Sequence, residues 1–336
     1  MHQPDAYSPR GVREAASTAL QNLALQDLAA LAFHVYMLLR VSVAVGPHSN
    51  DRHVGIRYGV ALLSATAAAL LIARGEVLKP GPARSLLYRV GIFVPVVLSY
   101  FQMRFLLPAL QPALVDRHLY ALDQALFGTT PAIWFQQFNQ LHIVEWVSFF
   151  YYSYFALMIL CLIPPLFLDS GRRQIEMMIG GLAVATVGHF VYTLVPGKGP
   201  VATLDFEPLN GGFWWHQVEV TVASAGAQLD IFPSLHTAYP MFFALHAYGW
   251  RHTNPYRYVW FILAFFSANI VIATMFLRWH WFVDVVAGVM LAVLARQCGK
   301  LVAEREADRG CDGDERQPVW EPILRGRGRR SESDAE

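Results

Sequence analysis

Phe232-Pro233-Ser234-Leu235-His236 opens a long apolar segment of this chain, and a second short run, His280-Trp281-Phe282-Val283-Asp284, opens another. Both runs place ionisable side chains at the mouth of a segment that otherwise suits lipid. Such side chains are costly inside a membrane and mark functional positions by default. The two runs therefore predict a helical membrane protein whose polar residues gather where two of its helices begin.

The composition is also that of a membrane protein. The 336 residues are 55% apolar and 15% charged, whereas soluble domains carry about 25% charged residues. A net charge of +1 gives no electrostatic basis for binding nucleic acid. Three scattered cysteines are too few for a disulfide framework or a thiolate metal site. We expect no cleaved signal peptide, because residues 1–26 lack an apolar core followed by a small-residue cleavage site.

Apolar segments long enough to cross a bilayer recur along the chain. A spanning helix needs about 20 mostly apolar residues. The candidate spans are 27–46, 56–73, 86–109, 143–168, 175–195, 235–250, 257–277 and 281–298. The sixth is short, and the eighth has a charged residue in its first turn. We expect an all-α fold, a polytopic membrane helix bundle of about eight spans.

The remaining stretches have a different character. Residues 111–142 carry leucines at helical spacing, which predicts amphipathic helices at the membrane interface, with a solvated loop as the alternative. Residues 196–231 form the longest loop between spans, a length typical of functional segments. Residues 1–26 are expected to be a cytoplasmic segment, and residues 300–336 a disordered, charged cytoplasmic tail.

The distribution of basic residues predicts the orientation, because loops that face the cytoplasm are enriched in lysine and arginine. These residues concentrate in the amino terminus and after the even-numbered spans, at Arg10, Arg13, Arg74, Lys79, Arg84, Arg172, Arg173, Arg251 and Arg257. The opposite loops carry fewer. Both termini are therefore expected in the cytoplasm, and the two polar runs at the extracytoplasmic face of the cell membrane.

His280 and Asp284 stand four residues apart, so they share one face of a helix. The carboxylate can accept a hydrogen bond from one imidazole nitrogen, which leaves the other nitrogen free as a nucleophile or base. A buried polar pair that ties two helices together is the alternative.

Ser234 and His236 lie at the start of the sixth span. A helix amino terminus offers free N–H groups and the positive end of the helix dipole, which suits a phosphate. Ser234 would add a hydroxyl donor, and a protonated His236 could give its proton to a leaving alkoxide. The alternative is that Ser234 only caps the helix.

Three cations are candidates for binding a phosphoryl group. Lys198 lies between glycines that let backbone N–H groups approach an anion. Arg278 lies two residues before His280, and Arg104 lies near the outer end of the third span. A simple exposed turn for the lysine and interfacial snorkelling for the arginines are the alternatives.

Two histidines and an aspartate could instead hold zinc, but cations in the same place would repel a metal, so no metal or other cofactor is expected.

Together these residues resemble the type 2 phosphatidic acid phosphatase superfamily. Pro233-Ser234-Leu235-His236 looks like its second motif, and His280-x-x-x-Asp284 looks like the end of its third. The resemblance extends over about residues 90–297. It implies a six-helix catalytic core at 86–299, with two additional transmembrane helices at 27–85.

The chain departs from the superfamily pattern in two places. Thr274 occupies the position at which the third motif normally has arginine, and Pro196-Gly197-Lys198-Gly199-Pro200 replaces the first motif. The Pro196–Pro200 stretch is similar to the corresponding stretch of the inositol phosphorylceramide synthase branch, which transfers a phosphoinositol head group between lipids.

The resemblance implies a reaction. His280 would attack phosphorus and form a phosphohistidine-type intermediate, Asp284 would orient it, and His236 would protonate the leaving group and then act as base toward the acceptor. Water as acceptor gives a phosphatase, and a lipid hydroxyl gives a phosphotransferase. The implied partner is a lipid phosphate or phospholipid in the bilayer. A transporter that uses the same residues as a proton relay, and a catalytically silent scaffold, are the alternatives.

Overall fold

The structure is a computed structural model that describes residues 11–44, 49–110, 113–224, 226–308 and 318–324. The elements in this part of the chain are all helices. They are α1 (Val12–Asn22), α2 (Leu25–Ser42), α3 (Ser49–Arg74), α4 (Pro82–Leu110), α5 (Asp116–Phe127), α6 (Pro131–Trp134), α7 (Leu141–Leu168), α8 (Gly171–Tyr192), α9 (Pro200–Thr203), α10 (Phe213–Ser224), α11 (Leu235–Gly249), α12 (Tyr256–Phe276) and α13 (Phe282–Asp308), with a 3₁₀ turn at Phe135–Phe138.

Six of these helices, α3, α4, α7, α8, α12 and α13, are long and apolar enough to cross a membrane. The count becomes seven if α1 and α2, which meet at 108°, form one broken span. The predicted all-α membrane helix bundle is confirmed. The sixth predicted span corresponds to α11, whose 15 residues extend over about 22 Å, less than the roughly 30 Å of a hydrocarbon core.

Helix α11 lies in the middle of the bundle, in contact with α7, α8, α12 and α13. Phe242 and Phe243 are fully buried on it. Glycines allow the neighbouring helices to approach closely: a Cβ atom at Gly299 of α13 would lie 2.5 Å from the carbonyl oxygen of Glu176 in α8. The short α11 is thus enclosed by longer helices.

Between α4 and α7 the chain is helical, as predicted, and α5 turns an acidic face inward. Asp116, Leu119 and Asp123 are buried, while Leu122 and Leu126 are exposed. A helix that buries carboxylates and exposes leucines is suited to a lipid boundary. Its position at the membrane interface stays a prediction.

The end of the chain differs from the predicted disordered tail. Helix α13 continues to Asp308, and residues 318–324 pack back onto the bundle. The Trp320 side chain lies 5.2 Å from the Tyr88 ring of α4, edge to face, and Arg89 donates a 2.5 Å hydrogen bond to the Glu321 carbonyl oxygen. An apolar pair, Val319 and Trp320, gives this segment something to bury. Residues 309–317 and 325–336 lie outside the described part of the chain.

Candidate active site

The two polar runs meet at one end of the bundle. The backbone N–H of Ser234 donates to the carbonyl oxygen of Asp284 at 3.1 Å, which joins the starts of α11 and α13. Gly288 makes this approach possible, because a Cβ atom there would lie 2.5 Å from the Ser234 carbonyl oxygen. The ring centroids of His236 and His280 are consequently 6.3 Å apart.

His280 is positioned from both sides. The carbonyl oxygen of Thr274 accepts hydrogen bonds from the N–H groups of Trp279 and His280, at 3.0 and 3.1 Å. On the other side the Nδ1 atom of His280 lies 3.4 Å from an Asp284 oxygen. This contact is longer than a formed hydrogen bond, and it leaves Nε2 as the nitrogen available to a ligand.

Asp284 is fully buried and also caps its own helix. Its carboxylate accepts the N–H of Trp281 at 3.0 Å. A second carboxylate, that of Asp123 in α5, accepts the N–H of Phe282 at 3.2 Å and the hydroxyl of Thr130 at 2.8 Å. Burial raises the pKa of Asp123. The start of α13 is therefore fixed by two acidic side chains, one of which faces His280.

His236 is held by aromatic stacking. Its ring lies 4.6 Å from that of Tyr151, nearly parallel to it, and 4.1 Å from that of Tyr154. Within the described chain its Nε2 atom is buried and has no hydrogen-bond partner. Buried polar atoms are normally paired, so this nitrogen is suited to contact a bound ligand.

The loop that carries Lys198 is organised by Asp116. The Asp116 carboxylate accepts the N–H groups of Lys198 and Gly199, the latter at 2.8 Å, and the indole N–H of Trp281 at 3.1 Å. The Lys198 side chain is exposed and lines the cavity described next. Asp116 thus fixes a cation relative to the start of α13. This role of Asp116 was not predicted, because in the sequence it is only a carboxylate on an amphipathic helix.

These residues surround a cavity of about 460 Å³. Lys198, Gln228, Asp230, His189, His236 and His280 line it, together with several tyrosines. Its apolar wall includes Phe101 of α4 and Phe155 and Ile159 of α7, which are also exposed on the outside of the bundle. The cavity therefore opens between α4 and α7 among lipid-compatible side chains.

Three predicted binding residues do not line this cavity. Ser234 is the N-cap of α11 and accepts the N–H of Thr237 at 3.2 Å, so the capping alternative describes its hydroxyl. Arg104 is exposed and donates to the Ser224 carbonyl oxygen at 3.4 Å.

Arg278, the third of these residues, follows the end of α12 in a left-handed conformation with φ 69°. Its guanidinium donates to the Glu207 carbonyl oxygen at 2.7 Å and lies over the Phe206 ring. Burial lowers its pKa. The left-handed position is a helix C-terminal cap normally taken by glycine, and it directs this arginine toward the 204–212 loop.

Asp230, Tyr151 and Tyr154 were not predicted. Asp230 lies in the loop before α11 and the tyrosines lie inside a span, where aromatic side chains are ordinary core residues. His189 and Tyr192 of α8 were not among the predicted site residues either. They line the cavity, and His189 Nδ1 lies 2.8 Å from the Ser99 hydroxyl.

Comparison with known proteins identifies the family. Residues 117–297, more than half of the chain, match the family described as the PAP2 superfamily. The chain belongs to the PAP2 superfamily. An uncharacterized protein of Methanocaldococcus jannaschii is 29% identical over 136 residues, which cover 40% of this chain and 50% of that protein. The chain thus matches about half of the length of that relative. No solved structure matches the chain.

Membership in the PAP2 superfamily agrees with the six helices that are long and apolar enough to cross a membrane. The matched region includes α5 to α12 and most of α13, and so contains both polar runs. The predicted superfamily is confirmed. The comparisons give no support to the inositol phosphorylceramide synthase branch.

Proposed function

We propose that this PAP2 superfamily protein is an integral membrane lipid phosphatase or phosphotransferase in which His280 is the nucleophile. The observation that carries the proposal is the pairing of His280 with two groups: Asp284 lies 3.4 Å from its Nδ1 atom, and His236 lies across the cavity at a 6.3 Å ring separation. A phosphorus atom bound between the two rings could be reached from both sides.

In the first step, His280 Nε2 attacks phosphorus while the bond between phosphorus and the leaving oxygen breaks. His236, protonated, gives its proton to that oxygen. Asp284 stabilises the positive charge that develops on the His280 ring. The products of this step are an alcohol and a phosphoryl group carried on His280.

In the second step, neutral His236 takes the proton of an acceptor hydroxyl. The acceptor oxygen attacks phosphorus, and the bond between phosphorus and nitrogen breaks, which restores His280. Water as acceptor completes hydrolysis, and a lipid hydroxyl completes transfer. Lys198 at the cavity wall and the helix amino termini offset the negative charge of the phosphoryl oxygens.

The cavity's opening between α4 and α7 supports a lipid substrate, because Phe101, Phe155 and Ile159 offer an apolar path for acyl chains. The inositol phosphorylceramide synthase-like subtype is part of this proposal and rests on the 196–200 pattern alone. The proposal also places the site at the extracytoplasmic face and both termini in the cytoplasm. This orientation rests on the distribution of basic residues.

The test is a panel of lipid phosphates offered to purified protein with and without alcohol acceptors, with products identified by mass. We expect His280→Asn to abolish turnover and His236→Asn to lower it by about 10²–10⁴-fold, the usual contribution of general acid–base catalysis. His142→Asn is the control, because His142 is exposed and does not line the cavity. Full activity in both site variants would refute the proposal.

A further inference from the structure

A second cavity, of about 490 Å³, lies between α7 and α12 and is separate from the active-site cavity. On α7 its lining begins at Ser153 and ends at Leu168, and these positions differ from those that line the active-site cavity. Tyr154 belongs to the other face of α7 and stacks against His236. Helix α7 therefore separates two cavities, one that holds the histidines and one that we call the α7–α12 groove.

The α7–α12 groove is open to the outside of the bundle along apolar side chains. Leu160 of α7 and Ile262 of α12 line it, and both are exposed. Ser153 and Ala156 are small and leave space on the α7 wall. Both helices are long and apolar enough to cross a membrane, so the medium at the mouth of the groove is the hydrocarbon of the bilayer. Lipid chains are as apolar as leucine and fill such a groove without leaving a polar group unpaired.

The length of the groove suits one acyl chain. From Ser153 to Leu168, α7 rises about 22 Å at about 1.5 Å per residue. One leaflet contributes about 15 Å to a hydrocarbon core of about 30 Å. A chain that enters beside Leu168 can therefore lie in the groove over the full depth of its own leaflet.

Among the described lining residues, charged side chains stand at one end of the groove. There Asp169 and Arg173 form an ion pair of 2.7 Å, in which the arginine is the more exposed partner, at 25% against 9%. The guanidinium also donates to the Asn254 carbonyl oxygen at 2.9 Å. These contacts fix the guanidinium and neutralise Asp169, while at least one of its five N–H groups remains unused.

Tyr256 adds a hydroxyl donor at the same end. It is the first residue of α12 and lines the groove, and the Arg173 guanidinium lies 5.5 Å from the centre of its ring. In the part of the chain that the structure describes, the Tyr256 hydroxyl has no hydrogen-bond partner. A guanidinium and a hydroxyl, placed where the helix dipole is positive, are donors suited to a phosphate.

The surroundings of this end add positive charge. The loop between α11 and α12 runs from Arg251 to Arg257 at its edges and contains no acidic residue. Neither arginine is ion-paired within the described residues. Basic groups between and beside membrane helices attract anionic lipids, whereas a zwitterionic head group would bring a cation toward these arginines. The charge at the end of the groove therefore favours a lipid with a net negative head group.

We propose that the α7–α12 groove binds a phospholipid with a net negative head group, whose phosphate contacts Arg173 and Tyr256 and one of whose acyl chains lies along α7. Asp169 lies about 22 Å further along α7 than Tyr154, which contacts His236. The bound lipid therefore lies in the leaflet opposite to the active site. It is a resident of the bundle and not the substrate, so the assignment is independent of the proposed reaction.

The first test measures lipid binding by native mass spectrometry. Phosphatidylglycerol and phosphatidylcholine with identical acyl chains are titrated into the full-length protein carrying His280→Asn, so that no lipid is turned over. Ala156→Trp places an indole in the groove, and we expect it to bind one phosphatidylglycerol molecule fewer than the parent. The binding that it removes should favour phosphatidylglycerol over phosphatidylcholine at least about fivefold.

Ala268→Trp is the matched control, because Ala268 is exposed on α12 and lies outside both cavities. It should bind as many phosphatidylglycerol molecules as the parent. Equal binding by Ala156→Trp and Ala268→Trp, or a lost site that does not distinguish the two lipids, would overturn the proposal.

The second test examines the head-group contacts. Tyr256→Phe removes the hydroxyl and keeps the ring, and it should weaken phosphatidylglycerol binding about tenfold, as expected for loss of a hydrogen bond to a charged group. Arg173→Gln combined with Asp169→Asn replaces the ion pair by a neutral pair and leaves no charge uncompensated. It should bring the preference for phosphatidylglycerol close to one. Full affinity in Tyr256→Phe, or an unchanged preference in the paired variant, would show that the phosphate does not lie at this end of the groove.

Discussion

The backbone N–H of Ser234 donates a hydrogen bond to the carbonyl oxygen of Asp284 across 3.1 Å. The bond joins two helix starts that are 50 residues apart in the chain, and it uses main-chain atoms on both sides. The separation of the His236 and His280 rings is therefore set by helix packing rather than by the rotamers of two long side chains. A substitution that moves the starts of α11 and α13 apart should therefore lower turnover, even where the substituted residue does not touch either histidine ring.

Gly288→Ala tests this dependence. The added Cβ would lie 2.5 Å from the Ser234 carbonyl oxygen and 2.9 Å from Thr237 Cβ, and neither atom can rotate away. We expect α11 and α13 to separate, at a cost of about 1–3 kcal/mol in stability. We also expect kcat to fall, because catalysis by two positioned groups depends on their spacing. Thermal unfolding and turnover of the purified variant measure the two effects.

The control for this substitution is Gly11→Ala, because a Cβ atom at Gly11 would meet nothing within 4 Å. It should retain both stability and turnover. If Gly288→Ala behaves like Gly11→Ala, the spacing of the two helix starts does not limit the reaction.

The meeting of His236, His280 and Asp284 could be predicted from the sequence, since each motif begins a helix and the span count places both beginnings at one end. The cations could not be placed in the same way. Arg278 is close to His280 in sequence, but its left-handed cap position turns it toward Glu207. Closeness in sequence places the backbone of Arg278 near that of His280. The direction of its long side chain depends on the surrounding loops, whose conformation cannot be predicted from hydrophobic periodicity.

Lys198 and Arg278 should differ in function for this reason. Lys198→Gln is expected to lower kcat/KM by about tenfold or more, because it removes a charge-assisted contact to phosphate. Lys198→Arg should restore part of the loss. The dependence of kcat/KM on ionic strength should also weaken in Lys198→Gln, since screening acts on exposed charges.

Arg278→Gln is the comparison for Lys198→Gln. It should loosen the 204–212 loop, and hence lower the melting temperature, while changing the ionic-strength dependence less. A salt response that disappears in Arg278→Gln and persists in Lys198→Gln would show that Arg278 binds the phosphoryl group after all.

Asp116 and residues 318–324 show a second limit of sequence reading. Asp116 has the pattern of a solvated helix position, yet it accepts the N–H groups of Lys198 and Gly199 and the Trp281 indole. Residues 318–324 follow a charged stretch, and composition averages conceal the apolar pair Val319 and Trp320. In both cases a few long-range contacts outweigh a local trend, and only the folded chain brings the partners together.

Trp320→Ala tests the packing of the chain end. Trp320 is 8% exposed, and it contacts Tyr88 and lies near the Arg89 guanidinium. Its removal should cost about 3–5 kcal/mol, as for other buried aromatic side chains, and should lower the melting temperature in detergent.

Leu324→Ala in the same segment is the control, because Leu324 is 60% exposed and such changes usually stay within about 0.5 kcal/mol. Turnover of folded Trp320→Ala protein should be retained, because this contact lies near the start of α4 and Tyr100 at the cavity lies much further along that helix. Equal melting temperatures for the two variants would show that the buried Trp320 side chain contributes no more to the stability of the bundle than the exposed Leu324 side chain.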